Sequence, residues 1–470
     1  MSDVRPGPAR PAGVPPAVAP AVARRALRVY GVLSRLVVPL AFAYLAWRGR
    51  VQPGYRRHWA ERLGRGAPPP AGDGPWLWLH AVSLGETRAA RPLLEALLAG
   101  QPRMRVLLTH MTPTGREAGA EIAARLDPGG RRIVQRWLPY DTPGATRRFV
   151  STWRPALGLV METEIWPNLL AACEAGGVPV WLVNGRLSER SLARGERRRA
   201  LLAPALARLA GVLAQTPGDA QRFARAGRTD AQAVGNLKFD QVPEASLIER
   251  GRAWRARLGP RPVVVAASTR EGEEQMLAEA WQKALAARAP AARPRLLVVP
   301  RHPQRFDEVA ALLGRCFGAA PWRRPALDAP PAEGGDVILG DSMGELAAYY
   351  ASADVAIVGG SWQPLGGQNL IEACAIGVPV LVGPHTFNFA EATLAAIDAG
   401  GALRCDDLDR ACAEALRWVD DPGRRAAAGE AARAFASAHR GATVRTLAAL
   451  EPWLARCGAL SAPAAAPAAR

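Results

Sequence analysis

The sequence predicts an α/β protein made of two doubly wound, Rossmann-like domains with parallel sheets. Short apolar strands alternate with helical stretches in two successive rounds, and this alternation is typical of βαβ units. In the first round we expect strands at residues 76–80, 106–109, 157–161, 178–184 and 211–214. In the second round we expect them at residues 263–267, 296–299, 337–339, 355–358 and 378–382. Polar loops follow these strands, so ligands are expected at the carboxyl ends of the sheets.

The composition indicates a folded protein with an acidic partner. The chain has 470 residues, enough for two domains and tails, and its apolar fraction of 49% and charged fraction of 22% are typical of globular proteins. Sixty Lys and Arg against 42 Asp and Glu give a net charge of +18, which fits nucleic acid, anionic lipid or a phosphorylated substrate. The sequence lacks zinc-finger spacing, an RNA-binding aromatic motif and a dense basic tract, so nucleic acid is not expected.

The cysteines indicate a reduced, cytosolic setting. All six are scattered and none forms a CxxC pair, so we expect mostly buried thiols and no metal site. They are Cys173, Cys316, Cys374, Cys405, Cys412 and Cys457.

Shifts in composition divide the chain. Residues 1–23 are rich in Pro, Ala and Gly, which predicts a disordered tail. The rest is expected to comprise a membrane-associated segment at 24–50, a domain at 51–240, a polar linker at 241–259, a second domain at 260–455 and a tail at 456–470.

The segment at 24–50 combines an apolar stretch with basic flanks. Its uninterrupted apolar run, 36–47, is too short to cross a hydrocarbon core about 30 Å thick, and extending it back to Val29 includes Arg35. Arginines lie on both sides, so the positive-inside rule gives no orientation, and no signal-peptide cleavage site follows. A helix embedded in one leaflet, a single uncleaved anchor and a buried amphipathic helix are the three interpretations, and a membrane contact is favoured.

Residues 359–380 form a strand–loop–helix corner with the pattern of a nucleotide site. Gly366 and Gly367 leave the backbone bare before the predicted helix, where N–H groups and the helix dipole favour an anion. Asn369 and Glu372 are predicted to share one helical face and to bind sugar hydroxyls. The alternative is an ordinary corner in which glycine serves only the turn.

Three carboxylates and one lysine are candidates for chemistry in the first domain. Glu86 is expected at a helix N-terminus, which favours the anion that a general base needs, although a plain dipole role is equally open. Glu162 and Glu164 follow a strand and share a face if the strand geometry continues, but one of them could serve a salt bridge. Lys238 precedes the linker and could stabilise a leaving phosphate or simply be solvated.

Two loops of the second domain add phosphate-binding candidates. Arg301 is bracketed by prolines, which suits bidentate recognition of a phosphate, and His302 is either an orienting residue or structural. Residues 343–345 open a predicted helix, where backbone N–H groups could contact a base or phosphate and Glu345 could instead act as a cap.

Taken in their order along the chain, the sequence motifs resemble those of the Kdo transferase family. Members of this family transfer 3-deoxy-D-manno-octulosonic acid (Kdo) in the lipopolysaccharide pathway. The resemblance covers residues 27–450. It is carried by residues 54–64, 80–86, 138–141, 162–168, 184–186, 235–240, 300–303, 340–346 and 369–372.

The resemblance implies a GT-B fold with two domains facing a cleft, CMP-Kdo as donor and a lipid A precursor, lipid IVA, as acceptor. It also implies a single displacement that inverts the anomeric centre, with no metal and no cofactor. The basic charge and the apolar N-terminal segment then fit an anionic lipid at the cytoplasmic face of the inner membrane. The Pro/Ala-rich N-terminal extension departs from the family pattern and bears only on where the anchor starts.

By the same resemblance, Glu86 is the base that deprotonates the acceptor hydroxyl. Lys238 stabilises the transition state together with Glu162 or Glu164, of which Glu162 is favoured. The implied CMP contacts are Ser268, Thr269, Pro300, Arg301, His302, Met343, Gly344, Glu345, Asn369, Leu370, Ile371 and Glu372.

Two other classes of function stay open from the sequence. Another GT-B protein, such as a UDP-sugar transferase or an epimerase, has no need of the basic, lipid-facing N-terminus. A catalytically silent nucleotide-binding scaffold on the membrane is favoured if Glu86 faces away from the cleft.

Overall fold

A computed structural model describes residues 18–329 and 334–459 of the chain. Contacts divide the chain into a first unit, up to Asp240 and from Gly441 onward, and a second unit, Gln241–Arg440. Residues 1–17 and 460–470, the larger part of both predicted tails, lie outside the described residues. Residues 20–23 and 456–459 are helical, so both tails are shorter than the sequence predicts.

The α-helices alternate with the strands through both units. They are α1 (Pro20–Arg48), α2 (Leu84–Gly100), α3 (Pro113–Leu126), α4 (Pro143–Trp153), α5 (Pro167–Ala175), α6 (Glu189–Arg197), α7 (Arg199–Ala207), α8 (Pro217–Arg225), α9 (Ala245–Arg257), α10 (Glu273–Leu285), α11 (Phe306–Phe317), α12 (Leu346–Ala351), α13 (Ile371–Ile376), α14 (Ala390–Asp398), α15 (Leu408–Asp420), α16 (Pro422–Ala438) and α17 (Ala442–Ala459). The strands are β1 (Trp76–His80), β2 (Arg105–His110), β3 (Ile133–Trp137), β4 (Leu157–Met161), β5 (Val180–Gly185), β6 (Gly211–Ala214), β7 (Gln232–Ala233), β8 (Val263–Thr269), β9 (Arg295–Pro300), β10 (Trp322–Arg323), β11 (Val337–Leu339), β12 (Val355–Val358), β13 (Val380–Val382) and β14 (Ala402–Arg404).

The first unit is built on a seven-stranded parallel sheet with the order β3-β2-β1-β4-β5-β6-β7. In the central strand β1, Leu79 lies opposite Leu108 of β2 and Leu159 of β4, and all three side chains are fully buried. A parallel sheet covered by helices on both faces buries its strands on both sides, which explains the continuous apolar runs in the sequence.

The last helix completes the core of the first unit. Asp240 accepts hydrogen bonds from the N–H groups of Gly441 at 2.7 Å and Thr443 at 2.5 Å, and it thereby satisfies donors at the start of α17. Leu450 and Leu454 of α17 are buried in the same cluster as the leucines of β1 and α2. The first unit is therefore discontinuous in sequence.

The second unit repeats the architecture, with a parallel sheet in the order β10-β11-β9-β8-β12-β13-β14. Its centre is β8, where Val264 pairs with Leu296 of β9 and with Val355 of β12. Residues 241–259, which the sequence predicts to be a linker, contain α9. This helix packs on α12 and buries Trp254 completely.

Helix α1 presents an apolar stripe to the outside. It is continuous over 29 residues, about 43 Å, and is long and apolar enough to cross a membrane by length and composition. Large apolar side chains on it are more than half exposed: Val29, Val32, Leu33, Leu36, Val37, Leu40, Tyr44 and Trp47. Its other face packs on α5 and α7, with Gly31 against Pro143 and Phe42 against Trp59 and Tyr140. The helix thus lies along the first unit instead of projecting from it.

Candidate functional site

The first candidate site is a cluster of charged side chains near the carboxyl ends of β1 and β4. Glu86 belongs to the first turn of α2, at the helix N-terminus where the sequence predicts it. Its carboxylate accepts a hydrogen bond from the N–H of Val82 at 2.9 Å and another from the hydroxyl of Ser83 at 3.0 Å. These bonds fix the side chain against the loop between β1 and α2.

Burial controls the charge of this carboxyl. Desolvation raises the pKa of Glu86 to about 7, and the negative charges of Glu162 and Glu164 add to the rise against the lowering effect of the Val82 and Ser83 hydrogen bonds. The helix terminus was expected to hold Glu86 as an anion, and burial outweighs that effect. A carboxyl with a pKa near 7 exchanges its proton at neutral pH, which suits general acid–base chemistry.

Glu162 and Lys238 form an ion pair beside Glu86. Glu162 has a left-handed backbone, with φ of +56°, so the strand alternation that would place it on the same face as Glu164 ends here. Its Oε1 lies 3.0 Å from Nζ of Lys238, and both side chains are about 15% exposed. Of the two functions considered for Lys238, a solvated linker residue is wrong, because the ammonium is engaged within the carboxylate cluster.

Glu164 has a separate set of partners. The indole N–H of Trp166 donates to its Oε2 at 2.7 Å, and Nε2 of the fully buried His80 lies 3.7 Å from the same atom. The other ring nitrogen of His80 lies 2.9 Å from the hydroxyl of Thr109, so the imidazole joins β1, β2 and the loop after β4. His80 belongs to the motif at residues 80–86, but no role for it was predicted from the sequence.

A network of amide side chains positions Lys238. Oδ1 of Asn184 accepts the N–H of Leu237 at 3.0 Å, and the side-chain amide of Asn236 donates to Gln215 at 3.0 Å. The N–H of Lys238 donates to Asn236 in turn, also at 3.0 Å. Asn184 is fully buried with φ of +53°, a conformation that asparagine tolerates better than most residues. Only the Asn-Gly-Arg tripeptide at 184–186 hinted at this role.

The second candidate site lies in the second unit, where four loops follow neighbouring strands. The order β11-β9-β8-β12 places the loops that begin at residues 340, 301, 270 and 359 next to one another at the carboxyl edge. Arg301 donates its N–H to the carbonyl of Thr269 at 2.9 Å, and a Cβ on Gly359 would lie 2.7 Å from the carbonyl of Ser268. The structure therefore brings the predicted nucleotide contacts of this unit to one edge of the sheet.

The glycine-rich loop differs in detail from the prediction. Gly366 and Gly367 have positive φ of 92° and 76°, but they end four residues before α13 begins. The N–H groups of Gly367 and Gln368 donate to the carbonyls of Gly360 and Gly359, so the loop uses these donors itself. The expectation of bare N–H groups at a helix terminus is wrong for these two donors.

Asn369 and Glu372 do not share a helical face as predicted. Asn369 precedes the helix, and its Oδ1 accepts the N–H of Ile371 at 3.0 Å. The side chains of Leu370 and Ile371 are buried in the core. Any ligand contact by Leu370 or Ile371 is therefore restricted to the backbone. The side chain of Glu372 is half-buried.

A buried carboxylate that the sequence analysis missed holds this loop. Glu273 begins α10 and is 1% exposed. It accepts hydrogen bonds from the N–H groups of Gly360 at 2.7 Å, Trp362 at 3.1 Å and Arg270 at 2.9 Å. Burial raises the pKa of Glu273, against the lowering effect of these N–H donors. A glutamate in the first turn of a helix is common, so this role of Glu273 leaves no signal in the sequence.

The remaining predicted contacts divide between engaged and exposed groups. Met343 and Gly344 are exposed, whereas Glu345 is the N-cap of α12 and forms ion pairs with Arg324 at 2.8 Å and Arg250 at 2.6 Å. Hydrogen bonding by Arg324, with those of Ser342 and Arg250, lowers the pKa of Glu345 to about 2. This carboxylate is therefore occupied within the protein.

The other predicted contacts lie at the end of β9. Pro300 is its last residue and is buried, and Arg301 and His302 are half-buried. Burial, together with the charges of Arg270, Arg301 and Arg305, lowers the pKa of His302, so the ring is neutral at pH 7. Within the described ranges no group of three or more His, Cys, Asp or Glu side chains is suited to hold a metal ion.

Comparison with known proteins identifies the family. A family model described as 3-deoxy-D-manno-octulosonic-acid transferase (kdotransferase) matches residues 57–241. The 3-deoxy-D-manno-octulosonic acid transferase of Bordetella pertussis is 51% identical over 430 residues, which cover 91% of this chain and 99% of the relative. The chain belongs to the Kdo transferase family. A Haemophilus influenzae member of the Kdo transferase family is 35% identical over 438 residues, covering 91% of this chain and 98% of that protein.

Solved structures agree with the fold class. A glycosyltransferase from Rickettsia africae ESF-5 has a TM-score of 0.54 at 11% identity, covering 82% of this chain and 98% of that chain. At this identity the likeness concerns the fold alone. Together with the two seven-stranded parallel sheets, it confirms the predicted α/β fold class of the GT-B type for this Kdo transferase.

Proposed function

We propose that this member of the Kdo transferase family moves Kdo from CMP-Kdo to the glucosamine disaccharide of an anionic lipid A precursor, lipid IVA. The observation that carries the proposal is the half-buried Glu86, whose pKa is about 7, beside the ion pair of Glu162 and Lys238. An acceptor hydroxyl is a weak nucleophile, and a carboxylate with this proton affinity is well matched to remove its proton at neutral pH.

The reaction is a single displacement. Glu86 takes the proton as the acceptor oxygen bonds to the anomeric carbon of Kdo, and the bond to CMP breaks with its electrons on the phosphate. Attack opposite the leaving group inverts the anomeric centre, and the reaction requires no metal. Lys238 and Glu162 act as one unit: the ammonium stabilises negative charge as CMP departs, and the carboxylate stabilises positive charge on the sugar.

The loops at the carboxyl edge of the second sheet bind the donor. Arg301 supplies a guanidinium for the phosphate, and Met343 and Gly344 offer an exposed backbone to the nucleotide. Glu372 is the partner of the ribose hydroxyls. Ser268, Thr269, Pro300, His302, Glu345, Asn369, Leu370 and Ile371 complete the set through backbone groups or by shaping the walls.

The N-terminal helix brings the enzyme to the cytoplasmic face of the inner membrane. Leu36 and Leu40 of the exposed stripe are about 70% exposed, while the opposite face packs on the first unit over a length that includes Gly31 and Leu45. A helix held along its length in this way favours embedding in one leaflet over spanning. Flotation with anionic vesicles tests this, because Leu36→Ser with Leu40→Ser is expected to reduce binding, whereas Leu394→Ser in α14 has no effect.

Incubation with CMP-Kdo and lipid IVA, followed by mass spectrometry, tests the reaction. The proposal expects the lipid to gain the mass of Kdo in the presence of a metal chelator. Sugar transfer from a UDP-sugar, or nucleotide binding with no transfer, would instead support the other two classes of function.

A further inference from the structure

The first unit contains an apolar pocket that the proposed chemistry does not use. It lies between α6, α7 and α8 and has a volume of about 280 Å³. Its walls are largely aliphatic or aromatic and include Leu182, Leu192, Leu202, Ala203, Leu206 and Phe223. An engineered apolar cavity of about 150 Å³ takes up a benzene ring, so this pocket has room for a longer aliphatic group.

The mouth of the pocket is basic. The charged residues that line it are three arginines, Arg186, Arg199 and Arg225, and one carboxylate, Glu196. On the neighbouring α6, the arginines Arg190, Arg194 and Arg197 recur at helical spacing and are all exposed. An apolar interior with a positive rim is complementary to an amphiphile whose head group is acidic.

The pocket adjoins the carboxylate cluster of the first unit. Thr163 and Ile165 line it, and they flank Glu164 in the loop after β4. The N–H of Arg186 donates to the carbonyl of Glu162 at 3.2 Å, so the pocket mouth and the ion pair share one piece of backbone. A molecule with its tail in the pocket has its head close to the site of proton transfer.

The pocket is also next to the exposed apolar helix. Helix α7, which contributes Leu202, Ala203 and Leu206 to the pocket, packs on α1 with another part of its surface. Since α1 carries the apolar stripe, the stripe and the pocket belong to two helices that are in direct contact.

From these juxtapositions we infer that the pocket between α6, α7 and α8 binds one acyl chain of an anionic lipid acceptor, with its acidic head group against the arginines of the mouth. The inference rests on the proposed function and extends it: the enzyme recognises its acceptor by a hydrocarbon chain as well as by its sugar.

A substitution that fills the pocket tests the inference. Ala203→Phe places a ring in the pocket, and Ala193→Phe adds the same ring to the exposed surface of α6 as a control. The measurement is kcat/KM for the acylated acceptor divided by kcat/KM for the same disaccharide without acyl chains. We expect Ala203→Phe to lower this ratio roughly tenfold or more, mainly through KM, and the control to keep the ratio of the parent.

Two measurements keep the test decisive. If Ala203→Phe loses its thermal unfolding transition, Leu202→Ser replaces it, because a hydroxyl in the pocket disfavours an acyl chain without adding volume. In the parent enzyme, progressive shortening of the acyl chains is expected to lower kcat/KM. A ratio that stays at the parent value in a folded pocket variant, or a rate independent of chain length, overturns the inference.

The failure of the proposed function is separable from the failure of this inference. A parent enzyme that transfers Kdo to neither acceptor refutes the proposed function. Titration with a long-chain alkyl phosphate then judges the pocket alone: binding by the parent and by Ala193→Phe, but not by Ala203→Phe, supports it, and equal binding by all three contradicts it.

Discussion

The two units use the same sheet architecture for opposite purposes. At the carboxyl edge of the first sheet, three carboxylates and a lysine are half-buried together, and the charges of Glu162 and Glu164 raise the pKa of Glu86. At the same edge of the second sheet the conspicuous features are glycines with positive φ and a loop whose N–H groups are bound by Glu273. In the proposed function, the first arrangement supplies proton chemistry and the second supplies a binding surface for the donor. A fold of this class can therefore separate catalysis from recognition by changing only its loops.

Removing the proposed proton acceptor is the strongest test of this difference between the two units. Glu86→Gln keeps the shape of the side chain but takes no proton, so kcat is expected to fall about 10²–10⁴-fold. CMP affinity, measured by calorimetry, is expected to stay at the parent value, since the proposed nucleotide contacts belong to the second unit. Glu95→Gln on the same helix is the control. Near-normal turnover in Glu86→Gln would remove Glu86 from the mechanism.

The next largest effect is expected from Lys238. Lys238→Met removes the partner of Glu162 and the cation of the cluster, and kcat is expected to fall about 10²–10³-fold. Single-turnover kinetics separates this loss from any change in donor binding. Lys283→Met, at an exposed lysine paired with Asp409, is the matched control. Equal rates in the two variants would contradict a chemical role for Lys238.

A smaller effect is expected in the second unit. Glu273→Gln weakens the hydrogen bonds to Gly360, Trp362 and Arg270, so we expect CMP binding to weaken by about 1.4 kcal/mol, or tenfold, while kcat at saturation changes little. Calorimetry with CMP measures the loss, and Glu279→Gln on the exposed side of α10 is the control. A large fall in kcat with unchanged CMP affinity would contradict the assignment of Glu273 to donor binding.

The smallest effect concerns pH. In the parent, kcat/KM is expected to rise with pH and to level off above about 7, because Glu86 must lose its proton. The negative charge of Glu162 raises the pKa of Glu86, so Glu162→Gln moves the midpoint of this rise to lower pH. Glu174→Gln, an exposed carboxylate paired with Arg208, leaves the midpoint in place. A midpoint that rises in Glu162→Gln would show that Glu162 does not act on Glu86 through its charge.

The central strands were predictable because they are apolar on both faces. Trp76–His80 and Leu157–Met161 match their predicted bounds, since every residue in them is buried. Ile133–Trp137 was missed because it is an edge strand whose middle residues, Gln135 and Arg136, are only half-buried. The two-residue strands β7 and β10 and the short edge strand β14 give no periodic pattern to detect.

The local sequence identified candidate side chains, but not the surrounding groups that set their pKa values and hydrogen bonds. Glu86 was found because it was expected at a helix N-terminus, and Lys238 because it precedes the predicted linker. The raised pKa of Glu86, however, depends on burial and on Glu162, which is 76 residues away in sequence. Glu273 and Asn184 escaped notice because their partners are distant backbone N–H groups. The predicted face shared by Asn369 and Glu372 failed because the helix starts at Ile371.

The return of the chain to the first unit has a consequence for biosynthesis. A ribosome releases residues 241–440 as one continuous stretch, so the second unit has its entire sequence before the first is finished. Until α17 emerges, Asp240 lacks the N–H groups of Gly441 and Thr443, and the apolar surface that Leu450 and Leu454 later cover stays open to water. The first unit, most of which is synthesised first, therefore finishes folding last. A nascent chain stalled before residue 441 exposes this apolar surface to chaperones and proteases.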